Sequence, residues 1–194
     1  ENPEHLFSLA DQTNLGYLSG ATWMDGKWYA IANDTLYTID TITGVRTFMG
    51  VPGSYISSLA WDPVSGKLYG LSWVSLYEID PYSYESIYVG YSGTEGFSAL
   101  ACTSDGMLYA LNIEDDQIYE INKNTGEAIA IGPIGFDAQF EQDMEFDPVS
   151  GNIYLTAFNN DDGQGELRTV DPITGSTVYI GTFRGGMEVT GFAI

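Results

Sequence analysis

Leu59-Ala60-Trp61-Asp62-Pro63, Ser65-Gly66-Lys67-Leu68-Tyr69-Gly70 and Leu76-Tyr77-Glu78-Ile79-Asp80-Pro81 form one continuous unit that decides the fold. Short runs rich in apolar and aromatic residues are separated by turn residues. In the last run Leu76, Glu78 and Asp80 alternate with Tyr77 and Ile79, the period of two expected of a strand. Asp-Pro-x-Ser-Gly fits a tight hairpin. Asp caps the turn with its side chain, Pro presets φ, and Gly takes the left-handed position.

The same unit recurs. Ala21-Thr22-Trp23-Met24-Asp25-Gly26 leads to Leu36-Tyr37-Thr38-Ile39-Asp40. Leu100-Ala101-Cys102 and Asp105-Gly106 lead to Ile118-Tyr119-Glu120-Ile121-Asn122. Met144-Glu145-Phe146-Asp147-Pro148 leads to Leu167-Arg168-Thr169-Val170-Asp171-Pro172. Each unit predicts four strands, a to d. Strand-a starts fall at Ser19, Ser57, Ser98, Gln142 and Thr190, spaced by about 40 to 50 residues, one propeller blade. The recurring Asp40, Asp62, Asp80, Asp147 and Asp171 are read as turn caps, not catalysts.

These spacings predict one all-β domain over residues 1–194, a five-bladed β-propeller of four-stranded antiparallel blades. Four blades are expected at about 20–51, 56–91, 97–135 and 141–183. The fifth is expected from 5–19 plus 187–194. Leu6–Asp11 reads as its strand c, Leu15–Ser19 as strand d and Thr190–Ile194 as strand a, with strand b missing. Pairing of the N-terminal strands with the C-terminal strand would close the ring and hide the sheet edges.

Composition narrows function. Lys and Arg total 6 against 27 Asp and Glu, a net charge of −21. Nucleic acid is then excluded as a partner, because phosphate binding runs on clustered bases. No apolar run reaches the length of a membrane helix, so no membrane insertion is expected. Cys102 is the one cysteine and His5 the one histidine. A Ser-His-Asp triad, a two-His zinc site and an internal disulfide are therefore all out of reach. A monomer is expected.

The runs Leu76–Ser83, Ile87-Tyr88-Val89-Gly90 and Ser57–Leu71 resemble repeats of secreted bacterial propellers of the YVTN and quinoprotein-like type. The resemblance covers nearly the whole chain. It implies an extracytoplasmic location (secreted, periplasmic or cell surface) and specifies no activity, since such propellers include enzymes, binders and scaffolds. The regular tryptophans of pyrroloquinoline-quinone propellers are absent. So are the histidines of propeller lyases and lactonases.

Function is expected on the face of the d–a and b–c loops, whose lengths vary, while the a–b and c–d turns are uniform. That face gathers Tyr55, Trp73, Tyr91, Phe97 and Phe136 with Glu141, Asp143, Glu145 and Glu188. Aromatics and carboxylates on a concave surface suit a carbohydrate or a protein or peptide ligand. The expected function is a non-enzymatic ligand-binding or protein-interaction module. A glycoside-type hydrolase with paired carboxylates among Glu95, Glu141, Asp143, Glu145 and Glu188 is the alternative. A structural spacer is the third reading. Asp161, Asp162 and Glu166, in a run of hard oxygen ligands around two glycines, are the metal candidates, for Ca²⁺. Glu145 aligns with Thr22, Ala60, Ala101 and Ala193, and is the one acid at that place in the repeat.

Overall fold

The computed structural model describes residues 17–80 and 82–194. Blade 1 holds β1 (Leu18–Met24), β2 (Lys27–Ala32), β3 (Thr35–Ile39) and β4 (Arg46–Gly50). Blade 2 holds β5 (Ser58–Asp62), β6 (Lys67–Leu71), β7 (Ser75–Ile79) and β8 (Ser86–Tyr91). Blade 3 holds β9 (Phe97–Cys102), β10 (Leu108–Asn112), β11 (Gln117–Ile121) and β12 (Ala128–Pro133). Blade 4 holds β13 (Asp143–Asp147), β14 (Asn152–Asn159), β15 (Gln164–Val170) and β16 (Thr177–Thr182). Each blade is a four-stranded antiparallel meander.

The turn residues act as their chemistry requires. The Asp62 carboxylate accepts from the amides of Val64 and Ser65 and the Ser65 hydroxyl. Asp40, Asp80, Asp147 and Asp171 bind the amide two residues on in the same way. These local bonds replace ladder bonds that a reversing chain cannot make.

The core is a set of seams between neighbouring sheets. Met24, Ile31, Leu36, Ile56, Leu59, Leu68 and Ile79 join blades 1 and 2. Leu71, Leu76, Phe97, Leu100, Leu108 and Ile121 join blades 2 and 3. Leu111, Ile118, Met144, Ile153, Leu155 and Val170 join blades 3 and 4. Blade docking at the periphery depends on a glycine near the end of the outer strands β4, β8 and β12. A Cβ on Gly90 would land on the Thr125 carbonyl of the next blade, and one on Gly132 would strike the Thr174 carbonyl. Gly50 stands in the same relation to Ser83 and Tyr84.

Among the described residues four blades are present, not five, and ring closure by a fifth is not seen. Leu18, expected to end a strand d, opens β1 instead, opposite Ala32 of β2, while Ser19 lies in β1 as its expected strand-a start requires. The rest of the expected N-terminal pair, up to Gly16, lies outside the described residues. Thr190–Ile194 forms no strand. The physical reason is where its polar groups go. The Phe192 amide donates to the Asp143 carboxylate, and the Val189 carbonyl accepts from the Thr156 hydroxyl. Side chains take the bonds a ladder would use, and no strand b for it lies among the described residues. The segment runs beside β13, and Gly191 abuts Leu18 of β1.

Candidate functional site

The innermost strands β1, β5, β9 and β13 are sheet edges, so alternate backbone amides face the central channel without a ladder partner. Neighbouring blades supply the acceptors from side chains. The Ser58 hydroxyl accepts from the Leu100 amide, and the Thr22 hydroxyl from the Trp61 amide at 3.2 Å. The Asp143 carboxylate accepts from the amides of Ala21 at 2.8 Å, Phe192 at 3.0 Å and Met144 at 3.1 Å, and from the Ser58 hydroxyl at 2.8 Å. All four acceptor directions of that carboxylate are thereby filled. Asp143 is fully buried, and burial pushes its carboxyl well above the usual range while these donors pull it back.

Glu145 lies two residues further along β13 and is only 7% exposed. Its carboxylate accepts from the Trp23 amide at 3.3 Å and also from the Thr22 hydroxyl and the Phe146 amide. Burial, with the charge of Asp143 added, holds its carboxyl well above the usual range; the Thr22 hydroxyl and the Trp23 amide oppose this. Neither acid joins any of the three ion pairs among the described residues.

Glu145 forms the floor of a cavity of about 360 Å³ at the a–b turn end of the channel. Its walls include Trp23, Trp61, Phe146, Cys102 and Ile194, with Asp25 among the a–b turn residues at the rim. Four of the wall residues occupy one place in the repeat. Trp23, Trp61, Cys102 and Phe146 pair with Trp28, Leu68, Leu108 and Ile153 on their respective second strands. The pseudo-symmetry thus gathers one position from each blade into a cup, with Glu145 one residue deeper. Cys102 is buried, and burial pushes its thiol up to about 12, so it contributes an apolar wall, not a nucleophile.

The loop end collects a different group. The Tyr55 hydroxyl donates to Glu141 Oε1 at 2.8 Å, and the Tyr17 hydroxyl sits against the same carboxylate. Burial, then Glu141, pushes the Tyr55 phenol up to about 12. Glu188 is raised by burial and by the Glu141 charge, while its carboxylate accepts the Glu141 amide. Tyr55, Glu141 and Glu188 are therefore brought together, as are Asp143 and Glu145. Phe97 is fully buried edge-on against Tyr119. Phe136 is buried with the Arg168 guanidinium 4.3 Å from its ring centre. Both rings are core. Trp73 is part-exposed in a b–c loop, and Tyr91 is exposed at the end of β8.

The three metal candidates are tied into the β14–β15 hairpin. Glu166 pairs with Arg168 at 2.6 Å, Asp161 accepts the Asp137 amide, and Asp162 accepts from Asn159. Among the described residues no group of three or more His, Cys, Asp or Glu side chains is placed to hold a metal ion. The sequence reading passed over Trp23, Trp61 and Phe146. The available signal was an aromatic just before the a–b turn in three of four units, at the place where a strand leaves the core.

No protein-family model matches the chain, and no curated protein does. Solved structures do. A structural genomics protein of unknown function from Bacteroides thetaiotaomicron superposes with a TM-score of 0.63 at 16% identity, covering 84% of this chain and 43% of that one. Nidogen, in a nidogen/laminin complex, gives 0.57 at 16% identity, covering 77% and 59%. The calcium-binding protein regucalcin from Agrobacterium tumefaciens gives 0.54 at 18% identity, covering 91% and 62%. The common feature is the β-propeller. At these identities the likeness shows the fold alone. The chain spans less than two thirds of the length of each of the three.

Proposed function

We propose that this propeller is a non-enzymatic binding module that takes a small ligand in the cup at the a–b turn end of its channel. The observation that carries this is Glu145, a buried carboxyl without a charged partner at the floor of an aromatic-walled cavity. A volume of about 360 Å³ falls in the range of small-molecule sites. The strands β1, β5, β9 and β13 hold Trp23, Trp61, Cys102 and Phe146, so these walls are preformed. Glycosidic cleavage uses two carboxyls facing each other across the substrate. Asp143, two residues before Glu145 on the same strand, is enclosed and saturated, which favours binding over hydrolysis. An extracytoplasmic location is part of the proposal; it rests on the repeat's resemblance, and cell fractionation tests it.

The test is a small-ligand screen followed by the indole signals of Trp23 and Trp61 in NMR. At least one ligand class should shift both. Trp61→Ala should weaken binding by roughly tenfold, the loss of one stacked ring, while Tyr55→Ala at the loop end leaves it unchanged. Ligands that shift only loop-end residues would sink the reading. So would turnover of chromogenic glycosides that disappears in Glu145→Gln.

A further inference from the structure

The polar inventory of the cup points to a ligand class, and this inference rests on the binding reading above. At the floor one carboxyl is 7% exposed; the Thr22 hydroxyl and the Trp23 and Phe146 amides take up much of its acceptor capacity, and no Lys or Arg pairs with it among the described residues. At the rim Asp25 is exposed. No Lys or Arg lines the cup among the described residues. The nearby Lys123 is committed to Asp62 at 2.6 Å and to the Gly106 carbonyl at 2.8 Å. The walls include Trp23, Trp61 and Phe146, closed by Pro63, Pro148 and Ile194.

A buried acid without a counter-charge, ringed by aromatics, is complementary to a cation whose surface is itself apolar. A primary ammonium carries three N–H donors and would need three acceptors. The floor offers one carboxyl. A methylated ammonium presents C–H groups instead, needs no donor partners, and is attracted to aromatic faces by their quadrupoles. We propose that the cup recognises a trimethylammonium group, with Glu145, which gives up its proton to solvent as the cation enters, as its counter-charge and Trp23, Trp61 and Phe146 as its cage. Either a free solute or a lipid headgroup carries that chemistry.

The experiment titrates the whole chain with choline, with its uncharged carbon isostere 3,3-dimethylbutan-1-ol, and with ethanolamine, read by the Trp23 and Trp61 indole signals. Choline should bind at least about tenfold more tightly than either of the others, the discrimination expected of a desolvated cation–π cage. Glu145→Gln keeps an acceptor for the Trp23 amide, so the fold is retained. It should bring choline to within about threefold of the isostere and leave the isostere unchanged, since only the charge is lost. Trp61→Leu should weaken choline more than the isostere. Co-sedimentation with phosphatidylcholine against phosphatidylglycerol vesicles separates the sources. Selective pelleting assigns a headgroup, and choline binding without pelleting assigns a free solute.

Equal affinity for choline and isostere, or a Glu145→Gln variant that binds choline as wild type does, overturns the assignment. Ethanolamine binding as tightly as choline overturns the methylated class. If choline fails while an uncharged ligand shifts the same indoles, this inference falls and the binding module stands. If no ligand of any class shifts them, both fall.

Discussion

Replacing Asp143 with alanine should unlock the centre of the propeller. The carboxylate is fully buried and accepts from Ala21 in β1, Ser58 in β5, Phe192 in the C-terminal segment and the adjacent Met144 amide. The Ser58 hydroxyl is free to rotate, and the Met144 amide is adjacent in the chain. The amides of Ala21 and Phe192 lose their acceptor outright. A buried donor left unmade costs about 1–3 kcal/mol, so the two together cost about 2–6 kcal/mol. Removing a carboxyl that burial disfavours returns part of this, and a water entering the space returns more. The net expectation is a loss of about 2–4 kcal/mol, or roughly 5–15 °C in melting temperature for a domain of this size. Urea unfolding followed by tryptophan fluorescence measures it, with hydrogen exchange at Ala21 and Phe192 as the local probe. Ser58→Ala, which removes one donor to Asp143 and the acceptor of Leu100, is the milder companion at about 1–2 kcal/mol. An Asp143→Ala protein within about 1 kcal/mol of wild type, with exchange at both amides unchanged, would refute the account of how the channel edges are satisfied.

Three further outcomes are expected. Gly90→Ala should cost about 2–3 kcal/mol in thermal or urea unfolding, because its Cβ would meet the backbone carbonyl of Thr125 instead of a side chain that can turn away. Lys123→Ala should cost about 2–4 kcal/mol, since it strands Asp62. That side chain is fully buried, and although burial raises its carboxyl, Lys123, the Ser65 hydroxyl and two amides hold it below the usual range; little loss in a double-mutant cycle with Asp62→Asn would contradict the inter-blade pairing. Glu145 holds its proton to higher pH in the folded than in the unfolded chain, whose carboxyl titrates near 4.5. Its stabilising contribution is therefore complete below about pH 4.5 and is lost as the pH rises through the folded value. Glu145→Gln should match wild type in acid and become progressively more stable than it towards neutral pH; unfolding curves that stay parallel from acid to neutral would contradict the burial.

The arrangement suggests a division of labour along the channel. Asp143 joins four chain segments and is a structural centre. Glu145, at the next inward position of the same strand, has no such saturation and faces the cup. Two acids two residues apart thus differ in role because one is ringed by free edge amides and the other by aromatic walls.

Much of this was legible in the residues themselves. The four regular blades, their strand order and their hairpin caps follow from a period of two and from Asp, Pro and Gly at fixed offsets. Those interactions span only a few residues, so a linear reading captures them. Glu145 also stood out, because a repeat makes any exception visible. The number of blades was decided otherwise. Thr190–Ile194 has the pattern of a strand a, but its Phe192 amide goes to Asp143 and the Val189 carbonyl just before it to Thr156, groups that only the packed blades bring near. Likewise, Phe97 and Phe136 match the loop-face pattern yet fill inter-blade seams. Trp23, Trp61 and Phe146 become a cup only when their blades close around one axis. Asp143 and Glu145 meet the amides of Ala21 and Trp23 across 122 residues of sequence in each case. Contacts at that separation depend on how sheets pack and where edges point, and tertiary structure alone determines that.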